Sequence, residues 1–207
     1  MHDLMDMPTN TVATEYLSEL TEVLALVPGD ALARVAQLLL DVRAAGRRVY
    51  IVGNGGSAAT ASHFVCDLVK TARVPGLEPL RAFALTDNIP LLTAWSNDSA
   101  YEDCFAEQVA ALAEPGDLVI GISASGNSPN VVSALRTAAN RDIQTIGILG
   151  FDGGAAARSS TWRSTCPATT TAWSKTPTWP SPTRSRPPYA RPCNPAPSWE
   201  RPSSQAW

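Results

Sequence analysis

The chain has 207 residues, enough for one domain with a sizeable core, and a formal charge of only −3. That figure hides a division: residues 1–157 carry 9 Lys+Arg against 18 Asp+Glu, whereas residues 158–207 carry 7 basic residues and one acid, Glu200. The acidic body argues against a nucleic-acid partner. No apolar run approaches the ~20 residues a membrane span needs, and the acidic segment Met1–Asn10 lacks the apolar core of a signal peptide, so a cytoplasmic protein is expected.

Apolar residues at Val12, Tyr16, Leu17, Leu20, Val23 and Leu24 recur with a helical period, which predicts a helix over 11–27. Pro28-Gly29 breaks it, and Asp30 is placed to cap a second helix that stops at Gly46. A short apolar strand (47–52) runs into a Gly-rich turn that opens a helix (53–72). Residues 81–86 form a second strand, and 88–98 and 101–113 read as helical. Pro115-Gly116-Asp117 turns the chain into a third strand (118–123), a loop and helix occupy 124–141, and a fourth strand covers 143–150. Strands alternating with helices of this length predict an α/β fold, with right-handed crossovers and a parallel sheet covered on both faces. The two leading helices either cover a sheet face or build a subunit interface. Cys66 and Cys104, in apolar helical contexts and without CxxC spacing, are expected to pack as small hydrophobes.

Ligands of open α/β sheets bind at the carboxyl ends of the strands, and two loops there are suited to it. In GNGGSAA (53–59), Gly53, Gly55 and Gly56 let the backbone take positive φ and approach a ligand closely, while Asn54 and Ser57 supply polar tips. The glycine spacing is not that of a dinucleotide fingerprint, and the Lys-Ser/Thr ending of a Walker loop is missing; a tight turn with a cap is the alternative. In SASGNS (123–128), the hydroxyls of Ser123, Ser125 and Ser128 surround Gly126, with Ala124 and Asn127 between them. The loop opens a helix, whose N–H groups and dipole favour an anion such as phosphate. With no Lys or Arg present, the donors would be hydroxyls and amides. Two such loops at neighbouring strand ends point to a phosphorylated small molecule. His63 and Asp67 stand i, i+4 on the helix after the first loop, a spacing that suits a metal-ligand pair, an acid/base pair or a structural contact. Asn97-Asp98 offers a carboxylate for sugar hydroxyls, or a helix cap.

Taken together, GNGGSAATASHF, SND and GISASGNSPNVVSAL resemble the sugar isomerase (SIS) domain and, within it, most the phosphoheptose isomerase family. The likeness covers roughly residues 12–157. It implies a flavodoxin-like three-layer α/β/α sandwich and a homotetramer with active sites between subunits. It implies conversion of sedoheptulose 7-phosphate to D-glycero-D-manno-heptose 7-phosphate through an enediol, which needs an acid/base pair. The resemblance assigns substrate binding to Asn54, Gly55, Gly56, Ser57, Asn97, Asp98, Ser123, Ala124, Ser125, Asn127 and Ser128, and both zinc and the acid/base work to His63 and Asp67. Two departures suggest a divergent branch acting on another sugar phosphate: Asp67 stands where the family has Glu, one methylene longer, and Ala124 replaces a hydroxyl. The resemblance also leaves open a non-catalytic regulator or adaptor that binds a sugar phosphate.

Residues 158–207 hold ten of the 17 prolines and five of the six tryptophans, and no His. The family continues here with a fifth strand and a last helix, which carries a Gln or Glu and, eight residues later, a His. Back-translating residues 158–186 and reading from the third base of each codon permits VVDLAVNLPGDDYGVVEDAHLALAHAIT. That sequence is a strand, a loop and an amphipathic helix, with Glu on the codon of Ser174 and His on that of Pro182. The tail is therefore read as out-of-frame and disordered, leaving a SIS domain over 1–157 without its last strand and helix; a natural Pro/Ser/Thr-rich tail is the alternative. On either reading the zinc site is incomplete, the activity of the chain as written is doubtful, and Trp162, Trp173, Trp179, Trp199 and Trp207 are an association liability.

Overall fold

The computed structural model describes residues 9–166. Helices α1 (Thr9–Ala25) and α2 (Gly29–Ala44) precede β1 (Arg48–Gly53), α3 (Gly56–Cys66), β2 (Arg81–Ala84), α4 (Ile89–Asp98), α5 (Ala106–Leu112), β3 (Leu118–Ser123), α6 (Pro129–Ala139), β4 (Gln144–Gly150) and β5 (Trp162–Cys166). The strands form one parallel sheet in the order β2-β1-β3-β4-β5. This is the flavodoxin-like order, in which the sequence leaves β1 in one direction for β2 and returns on its other side as β3. The α/β class expected from the alternation of elements is the one observed.

Burial explains why the strands are unbroken apolar runs. Successive side chains of a strand face opposite sides: Val49 and Ile51 join Leu118, Ile120 and Ile146 on one side of the sheet, against Val42 of α2 and Ala61 of α3. Tyr50, Val52 and Val119 join Phe105, Val109, Val131 and Leu135 on the other, beneath α5 and α6. Gly121 makes that second layer possible, because a Cβ there would lie 2.9 Å from Leu135 Cδ1.

Of the two leading helices, α2 covers the sheet: Val35, Leu38 and Leu39 pack against the core alongside Val42. Helix α1 buries Val23 and leaves Leu17 and Leu24 more than half exposed. Among the described residues no single helix is long and apolar enough to cross a membrane.

Several local readings need correction. Asp30 lies inside the first turn of α2 and does not cap it; Pro28 holds the cap position with no side-chain hydrogen bond. Residues 101–105 are turns, and the helix starts only at Ala106. Cys104, in those turns, is buried, but Cys66 is exposed. Helix α3 does not run on evenly to residue 72: Asp67–Thr71 is a π-helical turn closed by the Ala72 N–H on the Asp67 carbonyl at 2.7 Å. The largest correction concerns the tail. The position expected to be empty beside β4 is taken by Trp162–Cys166, paired parallel in the register Ile146↔Trp162 to Gly150↔Cys166. Ladder bonds at a sheet edge come from backbone groups, so a segment without proline serves whatever its side chains were selected for. The expected last helix and the positions of Ser174 and Pro182 lie outside the described residues.

Candidate functional site

The return crossover separates the loops that follow β1 and β3, and in this strand order that gap is the switch point where ligands sit. A cavity of about 220 Å³ occupies it, lined by Asn54 and Ser57 from the first loop and by Ile122, Ser123, Ala124, Ser125 and Ser128 from the second. The two loops that the sequence singled out thus face one another. A larger groove of about 660 Å³ lies along α2, lined by residues such as Asp30, Arg34, Asp41 and Gln144. Gln144 opens β4, so this groove sits at the amino ends of the strands, and its mixed charge suits no particular ligand.

The serine loop is tightly organised. Ser123 is buried; its Oγ accepts the Gly126 N–H at 3.1 Å and lies 3.2 Å from the Ser128 Oγ. Gly126 has φ +64, the left-handed region that glycine enters at least cost. Its carbonyl accepts the Ala156 N–H at 2.8 Å, which braces the loop against the turn after β4. Asn127 reinforces that brace: its Nδ2 donates to the Ser125 carbonyl (2.9 Å) and its Oδ1 accepts the Ala155 N–H (2.9 Å). Asn127 therefore shapes the loop and is not among the residues lining the cavity. No lining residue is charged, so an anion here would meet hydroxyls, amides and the start of α6, as expected.

The first loop is fixed by residues that the sequence reading did not single out. The Asn54 Nδ2 donates to Asn130 Oδ1 at 2.8 Å, and the Asn130 Nδ2 donates back to Asn54 Oδ1 at 2.9 Å. The Tyr101 hydroxyl also donates to Asn54 Oδ1 at 2.9 Å. Asn130, in the first turn of α6, is 1% exposed, and Asn54 is partly buried. Gly55 and Gly56, between the two lining residues Asn54 and Ser57, are exposed, and nothing lies within 4 Å of either Cβ position.

The other expected site residues stand apart from this cavity. His63 Nδ1 and Asp67 Oδ2 are 3.9 Å apart, so the i, i+4 pair does share a face, but their side chains are 77% and 48% exposed and neither lines the cavity. Asp67 also accepts the Thr71 hydroxyl at 3.0 Å. No group of three or more His, Cys, Asp or Glu able to hold a metal occurs among the described residues. The described residues alone therefore do not make a zinc site, and the two further donors that the resemblance calls for would fall outside them. Asn97 and Asp98 end α4, exposed, with the Asn97 Nδ2 donating to Asp98 Oδ1 at 2.8 Å.

A parallel sheet ordered 2-1-3-4-5, with a serine-rich loop and a glycine-rich loop across its switch point, defines the class, and the sequence agrees: residues 14–150 match the family described as the SIS domain, to which the chain belongs. Within that family its relatives carry a more specific name. A phosphoheptose isomerase from Trichlorobacter lovleyi is 48% identical over 124 residues, 59% of this chain and 62% of that protein. One from Paramagnetospirillum magneticum is 40% identical over 147 residues, 70% of this chain and 76% of that protein. The solved structure of phosphoheptose isomerase GmhA from Neisseria gonorrhoeae superposes with a TM-score of 0.69 at 32% identity, covering 79% of this chain and 86% of that one. The match reaches 62% of the Trichlorobacter protein and 65% of its Geobacter sulfurreducens counterpart, so the chain spans less than two thirds of the length of these relatives.

Proposed function

We propose that the body of this chain is a sugar-phosphate site of the phosphoheptose isomerase kind, and that the chain as written turns substrate over poorly or not at all. The observation that carries this reading is the cavity at the switch point, where Ser123, Ser125 and Ser128 face Asn54 and Ser57. Its 220 Å³ falls below the ~300–1,000 Å³ of sites that enclose a whole small molecule. It suits the phosphate end of a ligand, with the sugar extending toward the open side.

The reaction would move a proton between C1 and C2 of the sugar, with the carbonyl exchanging position through an enediol. His63 and Asp67 are the proposed proton-transfer pair, and they are also the two zinc ligands of the proposal. Zinc held there would supply Lewis-acid polarisation of a substrate oxygen. Their exposure fits a site completed by a second subunit in a homo-oligomer, a tetramer in the family, and by residues later in the chain. In this chain Ser174 and Pro182 occupy the codons where a Glu and a His would fall in the shifted frame.

A second reading has its own support. The serine loop lines its cavity with hydroxyls and needs no metal to do so, which suits a non-catalytic sugar-phosphate-binding regulator. One experiment separates the two. The 207-residue protein and a version translated in the shifted frame from codon 158 are assayed for isomerisation of sedoheptulose 7-phosphate and for bound zinc. The shifted-frame protein is expected to hold zinc, to lose it on His63→Ala and to be active, with the chain as written at least 100-fold slower. Family-like turnover by the chain as written would refute the impairment. A metal-free, inactive shifted-frame protein that still binds the sugar phosphate would favour the regulator.

A further inference from the structure

Asn130 belongs to none of the residues that face the cavity, yet every hydrogen-bonding capacity of its carboxamide is used. Its Oδ1 accepts the Val131 N–H at 3.0 Å and the Asn54 Nδ2 at 2.8 Å. Its Nδ2 donates to Asn54 Oδ1 at 2.9 Å and to the Cys104 Sγ at 3.6 Å. The Val131 contact fixes the orientation of this amide, because a backbone N–H can only donate and so must face an oxygen. Once Asn130 is oriented, so is Asn54: its oxygen must meet the Asn130 NH₂ and its nitrogen the Asn130 oxygen.

The Tyr101 hydroxyl then takes the remaining face of Asn54 Oδ1 at 2.9 Å. The acceptor side of Asn54 is thereby filled. One Nδ2–H is left without a partner among the described residues, on a side chain that lines the cavity. We propose that Asn130 is a positioning residue that holds Asn54 as a one-proton donor, so that the first loop recognises an acceptor oxygen of the sugar rather than a donor group. Asn130 lies two residues beyond Ser128. The same short segment therefore carries the serine hydroxyls and sets the polarity of the loop across from them. This rests on the reading of the cavity as a sugar-phosphate site.

Titration calorimetry with two probes tests it. Sedoheptulose 7-phosphate engages both loops, and inorganic phosphate engages the serine loop alone. Asn130→Ala is expected to weaken sedoheptulose 7-phosphate about tenfold and inorganic phosphate less than twofold. In an Asn54→Ala background the same substitution should change sedoheptulose 7-phosphate binding less than twofold, because an effect that acts through Asn54 disappears with it. If Asn130→Ala does not fold, Asn130→Ser replaces it, keeping an acceptor near the Val131 N–H while falling short of Asn54. Equal losses for both probes, or an undiminished effect in the Asn54→Ala background, would overturn the positioning role alone. Failure of the unsubstituted protein to bind either probe would overturn the site reading and this inference with it.

Discussion

Gly126→Ala is the substitution whose cost can be worked most directly from the geometry. Gly126 sits at φ +64, where an L-residue costs about 1–2 kcal/mol. A Cβ built there stands 2.1 Å from the Gly153 carbonyl oxygen and 2.4 Å from its carbon. An ordinary carbon–oxygen contact is about 3.3 Å, so two backbone segments would have to part by roughly 1 Å. That movement breaks the Ala156 N–H bond to the Gly126 carbonyl and the Ala155 N–H bond to Asn127 Oδ1, each worth about 1 kcal/mol. The sum is about 3–4 kcal/mol, which for a chain of this size lowers Tm by roughly 6–16 °C. Gly46→Ala is the matched control. Gly46 has φ +65 at the end of α2, where the Arg47 N–H bonds back to the Val42 carbonyl at 2.9 Å, and nothing lies within 4 Å of its Cβ position. It should cost only the conformational term of about 1–2 kcal/mol, roughly 2–8 °C. Circular-dichroism melting measures both, and calorimetry with inorganic phosphate should show binding lost in Gly126→Ala and kept in Gly46→Ala. Equal melting shifts for the two variants would refute the claim that the serine loop is set by its contact with Gly153.

Two further outcomes are expected. Ile120 is fully buried in the central strand, so Ile120→Ala should cost about 2–5 kcal/mol, whereas Leu17→Ala on the exposed face of α1 should leave the monomer's stability within about 0.5 kcal/mol; a urea titration that found the two alike would contradict the core assignment. Burial pushes the Cys104 thiol above its usual range, so the folded form stays protonated while the unfolded chain ionises from about pH 8.5. The stability this contributes is whole below that pH and is lost as pH rises toward the folded value. Tm should accordingly fall more steeply between pH 8 and 10 in the natural chain than in Cys104→Ala, and parallel slopes would dismiss the effect.

Much of this was legible in the sequence, for identifiable reasons. A parallel strand buried on both faces has to be an apolar run, so RRVYIV and LVIGIS announce themselves, and the glycines and serines after them mark strand ends where backbone and hydroxyls are free for a ligand. Asn130 was not legible. An Asn at the start of a helix reads as an ordinary helix terminus, and its partner Asn54 is 76 residues away; only the fold brings the two amides together. Tyr101 was hidden the same way, in turns that periodicity extended into a helix. The fifth strand was missed because its pairing depends on backbone groups, whereas the sequence reading weighed side chains. His63 and Asp67 were paired correctly by helical spacing, but spacing along one helix says nothing about which way that face points.

The strand order also bears on the sequence of events during synthesis. Every residue that lines the switch-point cavity, together with Asn130, is made before residue 131, and the strands that hold the two loops, β1 and β3, are hydrogen-bonded neighbours. Synthesis runs from the amino end, so all of these residues are encoded before the last third of the chain. A change of reading frame near codon 158 comes too late to alter those residues. Under the proposed function, binding and catalysis would be separable by position along the messenger: an early part that captures the ligand, and a late part on which turnover depends.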